Sequence, residues 1–377
     1  REVVLATGAI ERPLVFPGND RPGVMLASAA RTYCNRYGVL VGRSVVVVTA
    51  DDAAYAAALD LHRAGVTIVM IADMRAAPDG PGYEAARAAR LPIMTGTVPV
   101  EAAGRLRVHE VSFGSLGADG EVRPAGTVAC DAVLMSGGLT PSVHLFSQSR
   151  GKLHYDAQRQ IFVPGLSAQC ERSAGSAKGT FALADVLAEG DAAGRDAAAQ
   201  AGFSPTQAAP FYDVVNDIPS KGGFIGAVPR PAYTKLAKAF VDFQNDVKDS
   251  DIIAATDEGF RSIEHVKRFT TTGMATDQGK TSNMNSLGLA ASALGKAVPE
   301  VGLTTFRMPY TPVTFGSIAG HARGELFDPV RTTPMHDWAK AQGAVFEDVG
   351  QWKRALYLPR AGEDLHRSVT VSYTHLR

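Results

Sequence analysis

The 377-residue chain carries 38 Lys and Arg against 38 Asp and Glu, with 45% hydrophobic and 20% charged residues. This is the make-up of an ordinary globular protein with room for two or three domains, and the zero charge balance supplies no electrostatic footprint for nucleic acid or an anionic membrane surface. No apolar run approaches the ~20 residues that span a bilayer. Cys34, Cys130 and Cys170 stand too far apart for local zinc or iron–sulfur ligation, so a reduced, cytoplasmic thiol state is expected.

Taken in chain order, Val3-Val4-Leu5-Ala6-Thr7-Gly8 predicts a buried strand ending in a tight turn. Residues 44–49 predict a second strand. A helix over 51–64 follows, with Asp51 or Asp52 as N-cap and Gly65 as its stop, and then a strand from Val66 to Ile71 that ends at Asp73. These three make one βαβ unit. The alternation from Arg105 to Phe113, with Glu121-Val122-Arg123, predicts a hairpin around Ala118-Asp119-Gly120. Residues 131–136 predict another buried strand, followed by Gly137-Gly138 and a proline turn at Pro141. Residues 175–194 read as a loop leading into an Ala-rich helix.

Pro219, Gly222, Gly223, Gly226, Pro229 and Pro231 cluster in a stretch that reads as a linker. Residues 232–296 read as helical, interrupted by the polar loop FTTTGMATDQGKTSN at 269–283. A Thr/Pro-rich irregular stretch comes next, and a third unit begins at Arg331-Thr332-Thr333-Pro334, in which Trp338 and Trp352 are expected to anchor a core. The chain opens on Arg1 without a start methionine. Its last residues, Val371 to Arg377, resemble translated library adaptor, so 370–377 are expected to be an artefact of a piece cut at both ends.

Several of these steps carry chemistry. The strand ending in Thr7-Gly8 resembles the turn that two-dinucleotide-domain flavoproteins lay against a bound dinucleotide, where glycine lets backbone approach ligand. The strand before Gly137-Gly138 repeats that logic. Together they flank the βαβ unit as in the pyridine-nucleotide disulfide reductase superfold. Ala174-Gly175-Ser176-Ala177-Lys178-Gly179 stands where that superfold places Gly-Asp, with Ser176 replacing the acid. Gly175 and Gly179 are expected to offer amides to a phosphate at a helix start. The inserted unit lacks G-x-G-x-x-G after its first strand and carries Asp51 and Asp52 there, which would repel a pyrophosphate. It is expected to keep the fold without a nucleotide site of its own.

The polar loop pairs with Phe240-Val241-Asp242-Phe243-Gln244-Asn245-Asp246-Val247. The two stretches resemble the GMGxCQGRxC and CxCE-V motifs of small iron–sulfur domains, and the four ligand positions fall on Asp242, Gln244, Asp277 and Ser282. None is cysteine, so no cluster is expected. This cysteine-free pattern, continued through residues 301–313 and 331–338 and at Gly350-Gln351-Trp352, resembles the α subunits of heterotetrameric sarcosine oxidase along about residues 1–369.

The resemblance implies an α/β chain: a two-dinucleotide-binding-domain flavoprotein-like fold, a small helical iron–sulfur-like domain without cysteines, and the start of a T-protein-like (aminomethyltransferase) domain. The corresponding divisions are 1–212, with the insert at about 40–130, then a linker at 213–231, the small domain and connector at 232–330, and the folate-type domain from 331 to 369. It implies oxidative demethylation of sarcosine to glycine, with hydrogen peroxide and formaldehyde or 5,10-methylenetetrahydrofolate, in a complex with β, γ and δ subunits. FAD would lie in the β subunit, FMN at the α/β interface, NAD in this chain, and tetrahydrofolate beyond its last residues.

The candidate NAD contacts are Thr7, Gly8, Gly175, Ser176 and Gly179. For the FMN phosphate, cations and donors at Lys267, Arg268, Thr270, Thr271, Gln278, Lys280 and Ser282 are the candidates. Neither catalytic nor metal-binding residues are assigned. His265 reads as structural, and a related amine dehydrogenase subunit or a non-catalytic scaffold are the competing readings.

Overall fold

The computed structural model describes residues 1–377 apart from 205–207, 235–236, 309–310, 369 and 371–377, so most of the expected adaptor artefact lies outside the described residues. The chain divides into Arg1–Thr311 and Pro312–Arg377. The first unit opens with strands β1 (Val3–Leu5), β2 (Ala9–Glu11) and β3 (Val24–Leu26). Then come α1 (Ala27–Tyr37), β4 (Ser44–Thr49), α2 (Ala53–Arg63), β5 (Thr67–Asp73), α3 (Pro81–Ala88) and β6 (Ile93–Thr95). A meander of β7 (Thr97–Ala103), β8 (Glu110–Leu116) and β9 (Val122–Ala129) leads to β10 (Ala132–Ser136) and β11 (Leu139–Pro141). Next are α4 (His144–Gln148), the hairpin β12 (Leu153–Asp156) and β13 (Ile161–Pro164), and β14 (Glu171–Ser173). A 3₁₀ turn at Gly175–Lys178 then gives way to α5 (Leu183–Gln200).

The insert is built on a parallel sheet of order β3-β10-β4-β5-β6. Along β4, Val45 and Val47 pack with Ala54, Ala58 and Leu61 of α2, whereas Val46 and Val48 pack with Val98, Val111 and Phe113 of the meander. Period-two alternation thus buries both faces of a run that is apolar throughout. The expected βαβ unit is β4–α2–β5, and Gly65 at φ +89° lies just beyond the helix end. Its cap differs in detail. Asp51 Oδ1 accepts the Ala53 N–H at 2.8 Å, while Asp52, at the N-cap position, makes no capping bond.

Other expectations change. The hairpin lies at β8 and β9, and β7 joins them; Pro99 sits at an irregularity in the register of β7, which disguises that strand. The residues after Gly137-Gly138 form β11, antiparallel to β2, instead of a proline turn. Val3 and Val4 are 51% and 36% exposed, because β1 pairs only with β14 in a two-stranded sheet. The expected linker is a packed segment. Val228 is 1% exposed and its N–H donates to Val15 O at 2.9 Å. Glycines that look like flexibility serve close approach there.

The helical region comprises β15 (Phe240–Asp242), β16 (Val247–Lys248), α6 (Asp249–Asp257), α7 (Ile263–Thr270), α8 (Asn283–Leu294) and α9 (Val298–Val301). Ile252, Ile263, Val266 and Leu287 form its centre together with Val15 and Phe162. It therefore shares a core with the nucleotide-type domain as far as Thr311. The second unit, taken by itself, carries α10 (Phe315–Ala319), β17 (Arg331–Thr332), α11 (His336–Ala341), β18 (Val345–Val349) and β19 (Trp352–Tyr357), with sheet order β17-β19-β18. Trp338 and Trp352 are 54% and 46% exposed, contrary to their expected core role. So small a sheet with short helices encloses little, and Ala339 is the one buried apolar side chain among its described residues.

Candidate functional site

The four positions expected to stand in for cluster ligands do converge. Asp242, at the end of β15 and 2% exposed, accepts the N–H groups of Gln244 at 2.9 Å, Asn245 at 3.2 Å and Gly273 at 2.7 Å. The Ser282 hydroxyl faces the same carboxylate at 3.5 Å. Gln244 Oε1 accepts from Thr276 Oγ1 at 3.4 Å and Asp277 N at 3.3 Å. Asp277 in turn accepts from Gly279 N at 3.0 Å and Thr281 Oγ1 at 3.3 Å. The sulfurs of a cluster are hydrogen-bond acceptors. Here side-chain oxygens take the inward-pointing donors, and the frame closes without metal. Among the described residues no group of three or more His, Cys, Asp or Glu is placed to hold a metal ion.

The glycines of the motif have a steric cause. A Cβ at Gly273 or Gly279 would lie 2.4 or 2.1 Å from Asn283 Oδ1, and both residues have positive φ. Thr271 and Gln278 also adopt positive φ, at 66° and 56°. This winding turns some expected FMN donors inward. Ser282 is 1% exposed and faces Asp242, and the Thr270 hydroxyl donates to Val266 O at 2.8 Å. Neither is free to meet a ligand at the surface.

The cations divide similarly. Arg268 pairs with Glu264 at 3.5 Å, and Glu264 also accepts the Thr305 N–H at 2.5 Å. Lys267 is half-buried with Arg268 and Arg307 as charged neighbours, and burial pushes its ammonium below the usual lysine range. It makes no ion pair among the described residues. Arg307 joins this cluster from a segment remote in sequence, which is why sequence reasoning missed it. Three cations around one acid leave a patch of net positive charge.

Lys280 donates to Asp277 O at 3.1 Å, and burial lowers its pKa as well. It stands near His144, another residue that sequence reasoning passed over. The His144 ring lies 4.0 Å from that of Phe306, and burial lowers its pKa to about 4, aided by the charge of Lys280. His265 stays exposed, 6.4 Å edge-on from the Phe260 ring.

The second candidate area lies where β1 and β14 run side by side. It brings Gly8 to Ser176, whose Oγ would be 3.9 Å from a Cβ on that glycine. Gly8, Gly175 and Gly179 all have positive φ. The amides expected to meet a phosphate are already engaged: Gly175 N–H donates to Glu189 Oε2 at 2.8 Å, and Gly179 N–H to Ser176 O at 3.2 Å. Lys178 holds the same Glu189 at 2.6 Å. The first amide of α5, on Leu183, donates to Asp217 at 2.6 Å. The chain's own carboxylates thus take the places an anion would use, and Thr7 spends its hydroxyl on Ser142 O at 2.7 Å. The carbonyls at this step are engaged as well: Gly8 O accepts the Ser142 N–H at 2.9 Å and Ser176 O that of Gly179.

A parallel-sheet insert nested between β2 and β11, with β1 and β14 paired beyond it, defines a mixed α/β fold. L-proline dehydrogenase from P. horikoshii shares it, with a TM-score of 0.60 and 21% identity over 84% of this chain and 58% of that one. The sequence places the chain more narrowly. Residues 236–321 match the Sarcosine oxidase A3 domain. Over 98% of its length the chain is 43% identical to sarcosine oxidase subunit alpha of Corynebacterium sp. (strain P-1), and over 96% it is 43% identical to that of Rhizobium meliloti (strain 1021). It is a relative of the sarcosine oxidase α subunits, and it spans 38% and 35% of the lengths of these two.

Proposed function

We propose that the chain works as part of the α subunit of an oxidoreductase complex that demethylates sarcosine to glycine, releasing hydrogen peroxide with formaldehyde or 5,10-methylenetetrahydrofolate. The observation that supports this most directly is the cysteine-free, hydrogen-bonded frame around Asp242, set in a chain 43% identical to such subunits. FMN, when bound, supplies the electron relay to oxygen, NAD a nucleotide whose role is open to test, and tetrahydrofolate the one-carbon acceptor. Lys267, Arg268 and Arg307 hold the FMN phosphate in this reading, with Thr271 and Gln278 at its edge and Lys280 beside His144. The β subunit carries the amine-oxidising FAD and the other half of the FMN site, and γ and δ complete the complex.

Gly8 and Ser176 are the proposed NAD contacts, with Thr7, Gly175 and Gly179 shaping their backbone. The committed amides at Gly175 and Gly179 favour a second reading in which this domain is a scaffold. Nucleotide content of the purified complex separates the two: one NAD per α subunit supports a binding role, and none supports the scaffold.

The FMN assignment is tested by Lys267→Ala in the assembled complex. Because the resemblance implies a covalent FMN, the readout is the flavin attached per purified complex, which is expected to fall severalfold when one charge-assisted contact to its phosphate is lost during attachment. Full FMN occupancy in that variant would overturn the assignment. The 377-residue chain alone is expected to turn over no sarcosine.

A further inference from the structure

In an open parallel sheet a ligand seats outside the carboxyl ends of the strands, where the connections on either side lead in opposite directions. In the insert that point lies between β4 and β10. From β4 the chain passes through α2 to β5 on one side, and it returns through the meander to β10 on the other. The residues at these two strand ends are Ala50 and Gly137. Both are already covered by the chain itself.

Gly223 N–H donates to Ala50 O and Phe224 N–H to Gly137 O, each at 2.9 Å, while Asp52 N–H reaches Lys221 O at 3.3 Å. Side chains bind the same segment. Ser220 Oγ donates to Asp51 Oδ2 at 2.6 Å, Arg75 Nη1 to Lys221 O at 2.8 Å, and Lys221 Nζ to Asp79 Oδ1 at 2.7 Å. The fit is close enough to require glycine: a Cβ at Gly222 would lie 2.4 Å from Ala50 O, and one at Gly223 2.6 Å from Arg12 Nη2. Beneath the segment, Arg75 bridges the buried carboxylates of Asp52 at 2.7 Å and Asp73 at 2.6 Å. The segment is anchored further on as well, where Gly226 N–H donates to Asn285 Oδ1 of α8 at 3.2 Å.

We propose that residues 220–224 are a built-in occupant of the insert's ligand crevice. The strap closes the crevice to dinucleotides and ties the insert to the helical region through α8, so the insert is a fixed wing and not a hinged nucleotide module. This holds whichever nucleotide sits at Gly8.

Hydrogen exchange with mass spectrometry on the assembled complex, with and without excess NADH or NADPH, tests it. Peptides covering 49–55 and 219–225 are expected to exchange slowly and to be unchanged by either nucleotide. Gly223→Val is expected to raise exchange in both peptides together by roughly tenfold, as for a local opening unit. Should that variant not fold, Ser220→Ala reads the same coupling with a smaller rise. Fast exchange of 219–225 in the unaltered chain would overturn the proposal. So would nucleotide protection of 49–55, or a variant that loosens the strap while leaving 49–55 unmoved.

Discussion

The frame around Asp242 and the crevice beside Ala50 have both been filled from within, by different means. In the frame, the fillers stand at the ligand positions themselves and satisfy donors that lie within a short stretch of chain. In the crevice, the filler arrives from 169 residues downstream; the Asp51 carboxylate serves it as a direct partner, and that of Asp52 holds the Arg75 that donates to it. The frame is a local hydrogen-bond knot, whereas the crevice is a long-range strap whose closure depends on tertiary packing. Damage to the first should stay within the helical region; damage to the second should spread across three parts of the first unit.

The largest effect is expected at the knot. Asp242→Ala strands three N–H groups, of which that of Gly273 is fully buried, and a hydroxyl, at a cost of about 4 kcal/mol in denaturant unfolding, while Asp242→Asn keeps part of the set and costs about 2. A cost below about 1 kcal/mol for the alanine variant would mean that something else holds the frame.

On the crevice side, Arg12 is 1% exposed and donates to Gly137 O and Gln160 O, with no ion pair among the described residues; burial lowers its pKa to about 10, against the opposing charge of Asp51. Arg12→Leu is expected to cost about 3 kcal/mol and to raise exchange at 219–225 as well as locally, which a knot-type site would not do.

A smaller effect is a pH signature. Burial raises the pKa of Asp51, against the opposing bond from Ser220. Its folded value stands above the unfolded one, so its contribution is fully present below the ordinary carboxylate pKa of about 4 and drains as pH rises through the folded value. The stability of Asp51→Asn relative to the unaltered chain should therefore improve as the buffer moves from acid to neutral. A gap that stays flat with pH would show that the carboxylate is not desolvated.

The smallest change is expected at Ser282→Ala. Its hydroxyl contact with Asp242, at 3.5 Å, is the longest of that set, and its loss should shift unfolding by about 0.5 kcal/mol.

The same contrast explains what could be read in the sequence. Ser44–Thr49 appears as the strand expected, because a β-branched run flanked by a capped helix has few alternatives. The convergence of Asp242, Gln244, Asp277 and Ser282 was legible because the replacements kept the spacing. The strap was not: Pro219, Gly222 and Gly223 give the composition of a linker, and only tertiary contact shows that the glycines admit Ala50 O and Arg12. The pairing of Glu189 with the Gly175 amide was hidden for a related reason. An acid on a helix fourteen residues further along the chain looks like solvated surface until the turn folds back on it. Arg307 and His144 each gain their neighbours from distant segments, and no local pattern announces them.

The knot at Asp242 has one further consequence. Thiolate-bound iron is vulnerable to oxidants, and cysteine sulfur climbs an oxidation ladder that ends irreversibly. A frame closed by carboxylate, amide and hydroxyl groups contains neither. An oxidant would find no thiolate among the groups that close it.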